Sequence, residues 1–307
     1  MKPPGRDVFA SAWNMLGDKT GQFRALEDRL MGTDIDLAWA DIAWDPLVGC
    51  TRKSAACKHC YAEALTAANA RPGGWGQGFA DGSGWSGKIE LRTDRLALPF
   101  GWETGRRVFV NSLSDVFHEA LDTAVIDKIF AVMALAPQHI YLVLTKRPKT
   151  MQPYVADAAT PGRIAKAMDD LAPGLVHAAP VWPLPHAWLG VTAENQKEAD
   201  RRIPLLLETP AARRFVAAEP LLEKLDLKLG TWLKPLGSGA RIDWVVAGGE
   251  TGAKGTACHP DWARGLRDQC AEADTPFFWT QWGQHIPQGG ADSRRLLDGL
   301  QHDAIPA

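Results

Sequence analysis

Three cysteines stand within eleven residues, in Cys50-Thr-Arg-Lys-Ser-Ala-Ala-Cys57-Lys-His-Cys60. Thiolates are soft metal ligands, and in a reducing compartment thiols crowded like this mean metal or catalysis more often than disulfides. The count is informative. A closed zinc site or electron-transfer cluster takes four protein ligands, whereas a 4Fe–4S cluster held by three leaves one iron open. S-adenosyl-L-methionine can fill that position through its amino and carboxylate groups, and electron transfer then cleaves it to a carbon radical. Two other readings stay open on the residues alone: a zinc site completed by His59, His259, Cys258 or Cys270, and buried thiols without metal. Cys258 and Cys270 themselves read as ordinary small core residues.

Other polar groups recur after short apolar runs: Asn111, Ser112, Ser114 and Asp115; Thr145, Lys146 and Arg147; Thr192, Glu194 and Asn195; Glu219; Gly248-Gly249-Glu250; and Gln281. Buried without partners they would be costly, so a solvated or cofactor-filled mouth is the natural place for them. Lys146 and Arg147 are candidates for a cofactor carboxylate or a substrate phosphate, or form a solvated turn before Pro148. Glu219 is a candidate for ribose hydroxyls or a simple cap. Glu194, Asn195, Glu250 and Gln281 are candidates for contact with substrate. His118 reads as a satisfied structural histidine before a proton donor.

The elements that must position these groups follow from the apolar pattern. Strand-like runs are Leu37–Trp44, Val108–Val110, Ile140–Leu144, Ala187–Val191, Arg214–Ala217, Trp244–Ala247 and Pro276–Trp279. Helical periods lie between them at Tyr61–Ala70, Thr123–Leu135, Pro161–Leu171, Asn195–Leu207 and Pro260–Ala273. Short apolar strands alternating with helices give an α/β fold with a parallel sheet. Six or seven such units suit a full or partial (βα) barrel, with a doubly wound sheet as the competitor. The cysteines then follow the first strand and precede a helix, whose free N–H groups and dipole favour thiolates and an anionic cluster.

The barrel is expected over residues 36–287, after an N-terminal extension (1–35) whose one amphipathic stretch is Gln22–Met31, and before a C-terminal tail (288–307). Arg71–Gly87, rich in glycine and carrying Trp75 and Trp85, reads as a long mobile loop: a lid or an unstructured insertion. Leu229–Ala240 reads as a second polar loop.

The 307 residues are 46% hydrophobic and 23% charged, ample for a core. A net charge of −2 argues against a uniformly basic surface for any nucleic acid but leaves room for a local basic groove. No run spans a bilayer and no secretory signal opens the chain, so a cytoplasmic protein without a membrane partner is expected. Thirteen tryptophans are many; Trp44, Trp188, Trp244, Trp279 and Trp282 sit at strand ends, where core packing is the plain reading and stacking on a planar substrate the sharper one.

Trp44-Asp45-Pro46-Leu47-Val48-Gly49-Cys50 with Tyr61-Ala62-Glu63 resembles the phage-associated three-Cys-motif proteins, a radical-SAM-like family of unknown function. The likeness continues through Val108–His118, Leu144–Pro148, Trp188–Val191, Glu219-Pro220-Leu221, Gly248-Gly249-Glu250 and Gln281-Trp282-Gly283. The resemblance implies a radical-SAM-like barrel with Cys50, Cys57 and Cys60 on a 4Fe–4S cluster and S-adenosyl-L-methionine as co-substrate. By position in such a barrel, His59 falls near the adenine. Ser112, Ser114 and Asp115 fall where the cofactor amino group is held. The six residues between Cys50 and Cys57 exceed the usual three, and Gly-Gly-Glu follows the sixth strand rather than the second. The implied partners are an electron donor protein and a nucleobase, nucleotide or nucleic-acid substrate. Against this stand a non-catalytic metal module completed by a partner protein or Cys258, and a zinc-dependent barrel hydrolase with Asp115 or Glu250 as base.

Overall fold

The computed structural model describes residues 38–173, 177–230, 240–287 and 293–307. The expected N-terminal extension, its amphipathic stretch and most of the 229–240 loop lie outside the described residues. Seven strands form one parallel sheet: β1 (Ile42–Trp44), β2 (Arg107–Val110), β3 (Ile140–Thr145), β4 (Ala187–Thr192), β5 (Arg214–Ala218), β6 (Trp244–Ala247) and β7 (Phe277–Trp279). Each pairs with the next in chain order. A doubly wound sheet reverses its order at a switch point. This one never does, so its right-handed crossovers all return on one face, and the sheet curls into a half-barrel with helices outside. Besides the one-turn helix Thr93–Leu96, the helices among the described residues are α1 (Tyr61–Ala68), α2 (Thr123–Leu135), α3 (Pro148–Ala156), α4 (Thr160–Leu171), α5 (Gln196–Glu208) and α6 (Pro260–Glu272).

Strand alternation sends successive side chains to opposite faces and divides the apolar residues into two sets. Trp44, Val110, Tyr141, Val143, Leu189, Val191, Val216, Val245 and Trp279 face outward into the core shared with the helices. Phe109, Leu142, Trp188, Phe215, Trp244, Val246 and Phe278 join Trp39 in a second cluster on the concave face. Burying such side chains contributes roughly 1.5–3 kcal/mol each, so the curl is held from both sides. Gly190 is the inward residue at the centre of β4. A Cβ there would lie 2.5 Å from the Phe215 ring, which occupies the space a side chain would need.

Helix starts carry local signals. Asp122 accepts from Ala124 N–H at 2.8 Å to cap α2, and Asn195 accepts from Glu198 N–H at 2.9 Å to cap α5. The seven expected strands are present, with β1 shortened to Ile42–Trp44. Helix α3 was not expected: Pro148 suits a first helical turn, but Pro153 within it hides the helical pattern. The Gly-rich 71–87 segment contains a short ladder, Ala80–Asp81 with Gly84–Trp85, so it is not structureless.

The tail also has structure. Leu296–Leu297 pairs with Leu300–Gln301, and the chain then runs against β7, bridging Phe278 with Asp303. Trp279 N–H donates to the His302 carbonyl at 2.8 Å, Trp244 Nε1 donates to the Ala304 carbonyl at 2.9 Å, and Ile305 packs on the concave cluster. The edge of β7 is thereby covered. Among the described residues no helix is long and apolar enough to cross a membrane.

Candidate functional site

At the C-terminal ends of the strands, where barrel enzymes place their chemistry, lies a cavity of about 340 Å³. Its floor is apolar, built by Trp39, Phe109, Leu144 and Ala217. One step further along the inward rows come Asn111, Lys146, Thr192 and Glu219, which ring the cavity. Cys50, Cys57 and Cys60 line it together from the loop between β1 and α1, with Cys57 the most buried.

The cysteine loop leaves β1 through Gly49. Its φ of +96° is a left-handed conformation, and the Lys88 carbonyl packs where a Cβ would be. Cys57 ends a single 3-10 turn (Ala55–Cys57), and its sulfur accepts the Lys53 N–H at 3.3 Å. Cys60 is the N-cap residue of α1 in extended conformation. Tyr61, next along, donates its hydroxyl to the Ser112 carbonyl at 2.9 Å and ties this helix start to the end of β2.

Burial pushes the Cys50 thiol up to about 11, with the Arg147 charge pulling the other way. Burial likewise raises Cys60 against the Lys146 charge and the N–H groups of Glu63 and Ala62. The helix start and the cations therefore act in the expected direction, but in the metal-free chain desolvation outweighs them. A metal bound here must displace protons. Among the described residues no three His, Cys, Asp or Glu side chains converge on a point that could hold a metal ion.

Arg147 turns out to be a brace. Its guanidinium donates from Nη1 to Asp115 at 2.9 Å and from Nε to Glu119 at 2.7 Å. From Nη2 it donates to the carbonyl (3.0 Å) and hydroxyl (2.8 Å) of Thr51, the residue after Cys50. Asp115 also accepts from the Thr145 hydroxyl at 2.6 Å and from the N–H groups of Phe117 and Lys146, both at 3.0 Å. Both residues line the cavity, and their polar atoms are engaged by protein. Ser112 donates to Asp45 at 2.9 Å, and Ser114 to the Gly49 carbonyl, so these hydroxyls also hold loops. Lys146 is different: its ammonium has no hydrogen-bond or ion-pair partner among the described residues. His118 is held at both ring nitrogens by the protein. Its Nδ1 accepts the Ala120 N–H at 3.1 Å, leaving Nε2 to donate to the Thr51 hydroxyl at 2.9 Å, and burial lowers its pKa.

Two substrate candidates do not reach the cavity. Glu194 is fully buried against Arg202 at 2.9 Å; burial opposes its ionisation, but Arg202 holds its pKa down. Asn195 is the α5 cap. Glu219 does line the cavity, accepting from the Thr280 hydroxyl at 2.7 Å. A Cβ on Gly248 would collide with both of those groups, so this glycine serves close packing. Glu250 lies 3.3 Å from His59 Nδ1 and accepts Thr256 N–H at 2.7 Å, joining the Gly-Gly-Glu loop to the cysteine loop. Gln281 donates to the Gly249 carbonyl at 3.0 Å and shapes the same loop. Cys258 and Cys270 are buried in the outer core and His259 caps α6, so none joins the three cysteines. Thr51, Glu119 and Arg294, which build or line the site, carry no local motif that marks them in the sequence.

No curated protein and no solved structure matches the chain. One family model, described as a protein of unknown function (DUF5131), matches residues 34–306, spanning the half-barrel, the cysteine loop and the C-terminal segment. The chain belongs to the DUF5131 family.

Proposed function

We propose that this protein is a radical S-adenosylmethionine enzyme, its cluster held by Cys50, Cys57 and Cys60. The observation that carries the reading is that all three thiols, together with groups from the other strand-end loops, line one cavity at the mouth of a half-barrel. The donor set fits a 4Fe–4S cluster, in which Cys50, Cys57 and Cys60 would each hold one iron and leave the fourth open. When bound, the pair supplies this chemistry: one electron from a donor protein breaks a carbon–sulfur bond of S-adenosyl-L-methionine, giving methionine and a 5′-deoxyadenosyl radical that takes a hydrogen atom from the substrate.

The chain's own residues orient and enclose. Arg147 and Asp115 fix the loop that carries Cys50, and the His59–Glu250 contact fixes the opposite end of that loop. Lys146, unpaired beside Cys60, is the candidate for the carboxylate of S-adenosyl-L-methionine. The resemblance to the three-Cys-motif proteins supports the same assignment, as does the parallel half-barrel. The absence of a membrane-spanning helix among the described residues is consistent with a cytoplasmic enzyme.

Anaerobic reconstitution tests this. The expected result is about four irons and four sulfides per chain, with 5′-deoxyadenosine formed after reduction in the presence of S-adenosyl-L-methionine. Cys57→Ala should lose iron loading; normal iron in that variant would overturn cluster ligation. Iron loading with no cofactor cleavage would leave a metal-binding module, and zinc bound in place of iron would favour a hydrolase.

A further inference from the structure

The charged groups around the cavity are equal in number, three carboxylates and three cations, but they are not all engaged. Its three carboxylates, Asp115, Glu219 and Glu250, each accept hydrogen bonds from protein groups. Of its cations, Arg147 is fully engaged, but Lys146 and Arg294 have no hydrogen-bond or ion-pair partner among the described residues. Unpaired cations in a partly desolvated cleft favour an anionic ligand. The two also differ in place. Lys146 is half-buried on the inward row beside Cys60, whereas Arg294 is exposed and comes from the C-terminal segment.

Trp85 lines the same cavity, half-buried, and comes from the glycine-rich insertion. No hydrogen bond or ring contact holds its indole among the described residues. A planar aromatic surface and a guanidinium thus reach the cavity from two segments outside the βα pattern. A ring stacks on tryptophan whatever its edge groups, and the planar fork of arginine takes phosphate oxygens two at a time. S-adenosyl-L-methionine carries no phosphate, so with its carboxylate assigned to Lys146, Arg294 is left for the second molecule.

We propose that Trp85 and Arg294 form the substrate subsite, and that it takes a nucleotide unit: a heteroaromatic base stacked on Trp85 with its phosphate on Arg294. This assignment rests on the radical-enzyme reading only for calling the ligand a substrate; the binding itself needs no metal.

Isothermal titration calorimetry of the full-length chain, as purified and again after iron–sulfur reconstitution, tests it. The probes are the four ribonucleoside 5′-monophosphates, their nucleosides and a short single-stranded oligonucleotide. At least one monophosphate is expected to bind about tenfold or more tightly than its nucleoside. Arg294→Gln should abolish that preference without weakening the nucleoside, and Trp85→Ala should weaken both to the same extent. Circular dichroism and Tm equal to wild type show that the variants are folded. An oligonucleotide that outcompetes the monophosphate means the unit is read within a strand; equal or weaker binding means a free nucleotide. Equal affinity for monophosphate and nucleoside, a preference that survives Arg294→Gln, or no binding by wild type would overturn the proposal. Failure of iron loading would overturn the enzyme reading and leave this result standing.

Discussion

A guanidinium with five N–H donors can be buried only where acceptors surround it, and Arg147, 2% exposed, finds them on Asp115, Glu119 and Thr51. Removing one partner of such a buried pair leaves the other charge uncompensated, at about 3–5 kcal/mol. Arg147→Met is therefore expected to lower urea-unfolding stability by that amount, and Arg147→Lys by less; a loss within about 0.5 kcal/mol for Arg147→Met would remove the brace from the account. Glu119 adds a pH signature. Burial works against its ionisation, yet Lys53 and Arg147 hold its pKa down to about 2. A depressed carboxylate stabilises the fold above its unfolded pKa of about 4.3, and that contribution fades as pH falls toward 2. The side chain is 46% exposed, so the effect is at most about 1 kcal/mol after solvent screening. The gap in urea midpoint between wild type and Glu119→Gln should be widest near pH 7 and shrink between pH 5 and 3; a constant gap would show that Glu119 does not titrate as described. The cysteines were legible because their spacing is local. The role of Arg147 was not, because its partners lie 32 and 96 residues away, and composition at a strand end does not say whether a polar group meets ligand or protein.

The strands and most helices were legible from apolar runs of the right length, since a strand buried on both faces has little choice of residue. Where propensity and context disagreed, the reading failed: α3 forms despite Pro153, and Glu194 and Asn195 turn from the mouth into an ion pair and a cap. Gly190 shows how narrow the margin within a strand is. With Phe215 filling the concave side, Gly190→Ala is expected to cost about 1–3 kcal/mol through overpacking. Differential unfolding of the variant against wild type measures this, and an unchanged Tm would mean that Phe215 moves aside freely.

At the scale of the molecule, strand order alone separates the half-barrel from a doubly wound sheet, and the sequence could only narrow the choice to those two. The C-terminal segment was unreadable as anything but a tail, because its short pieces gain stability only against β7 and Trp244. Deleting residues 302–307 removes the acceptor of the Trp244 indole and the cover of β7. A loss of about 1–3 kcal/mol is expected from the orphaned indole, along with edge-driven aggregation, both visible by calorimetry and light scattering. An unaltered Tm would show the segment to be dispensable. The open sheet has a mechanical consequence. A closed barrel fixes its radius through strand number and shear, but here β1 and β7 share no ladder among the described residues. The bore is set instead by side-chain packing on the concave face, and packing is compliant where a ring of hydrogen bonds is stiff. The width of the mouth therefore depends on which side chains pack on the concave face, so a substitution there changes the bulk of molecule the mouth admits.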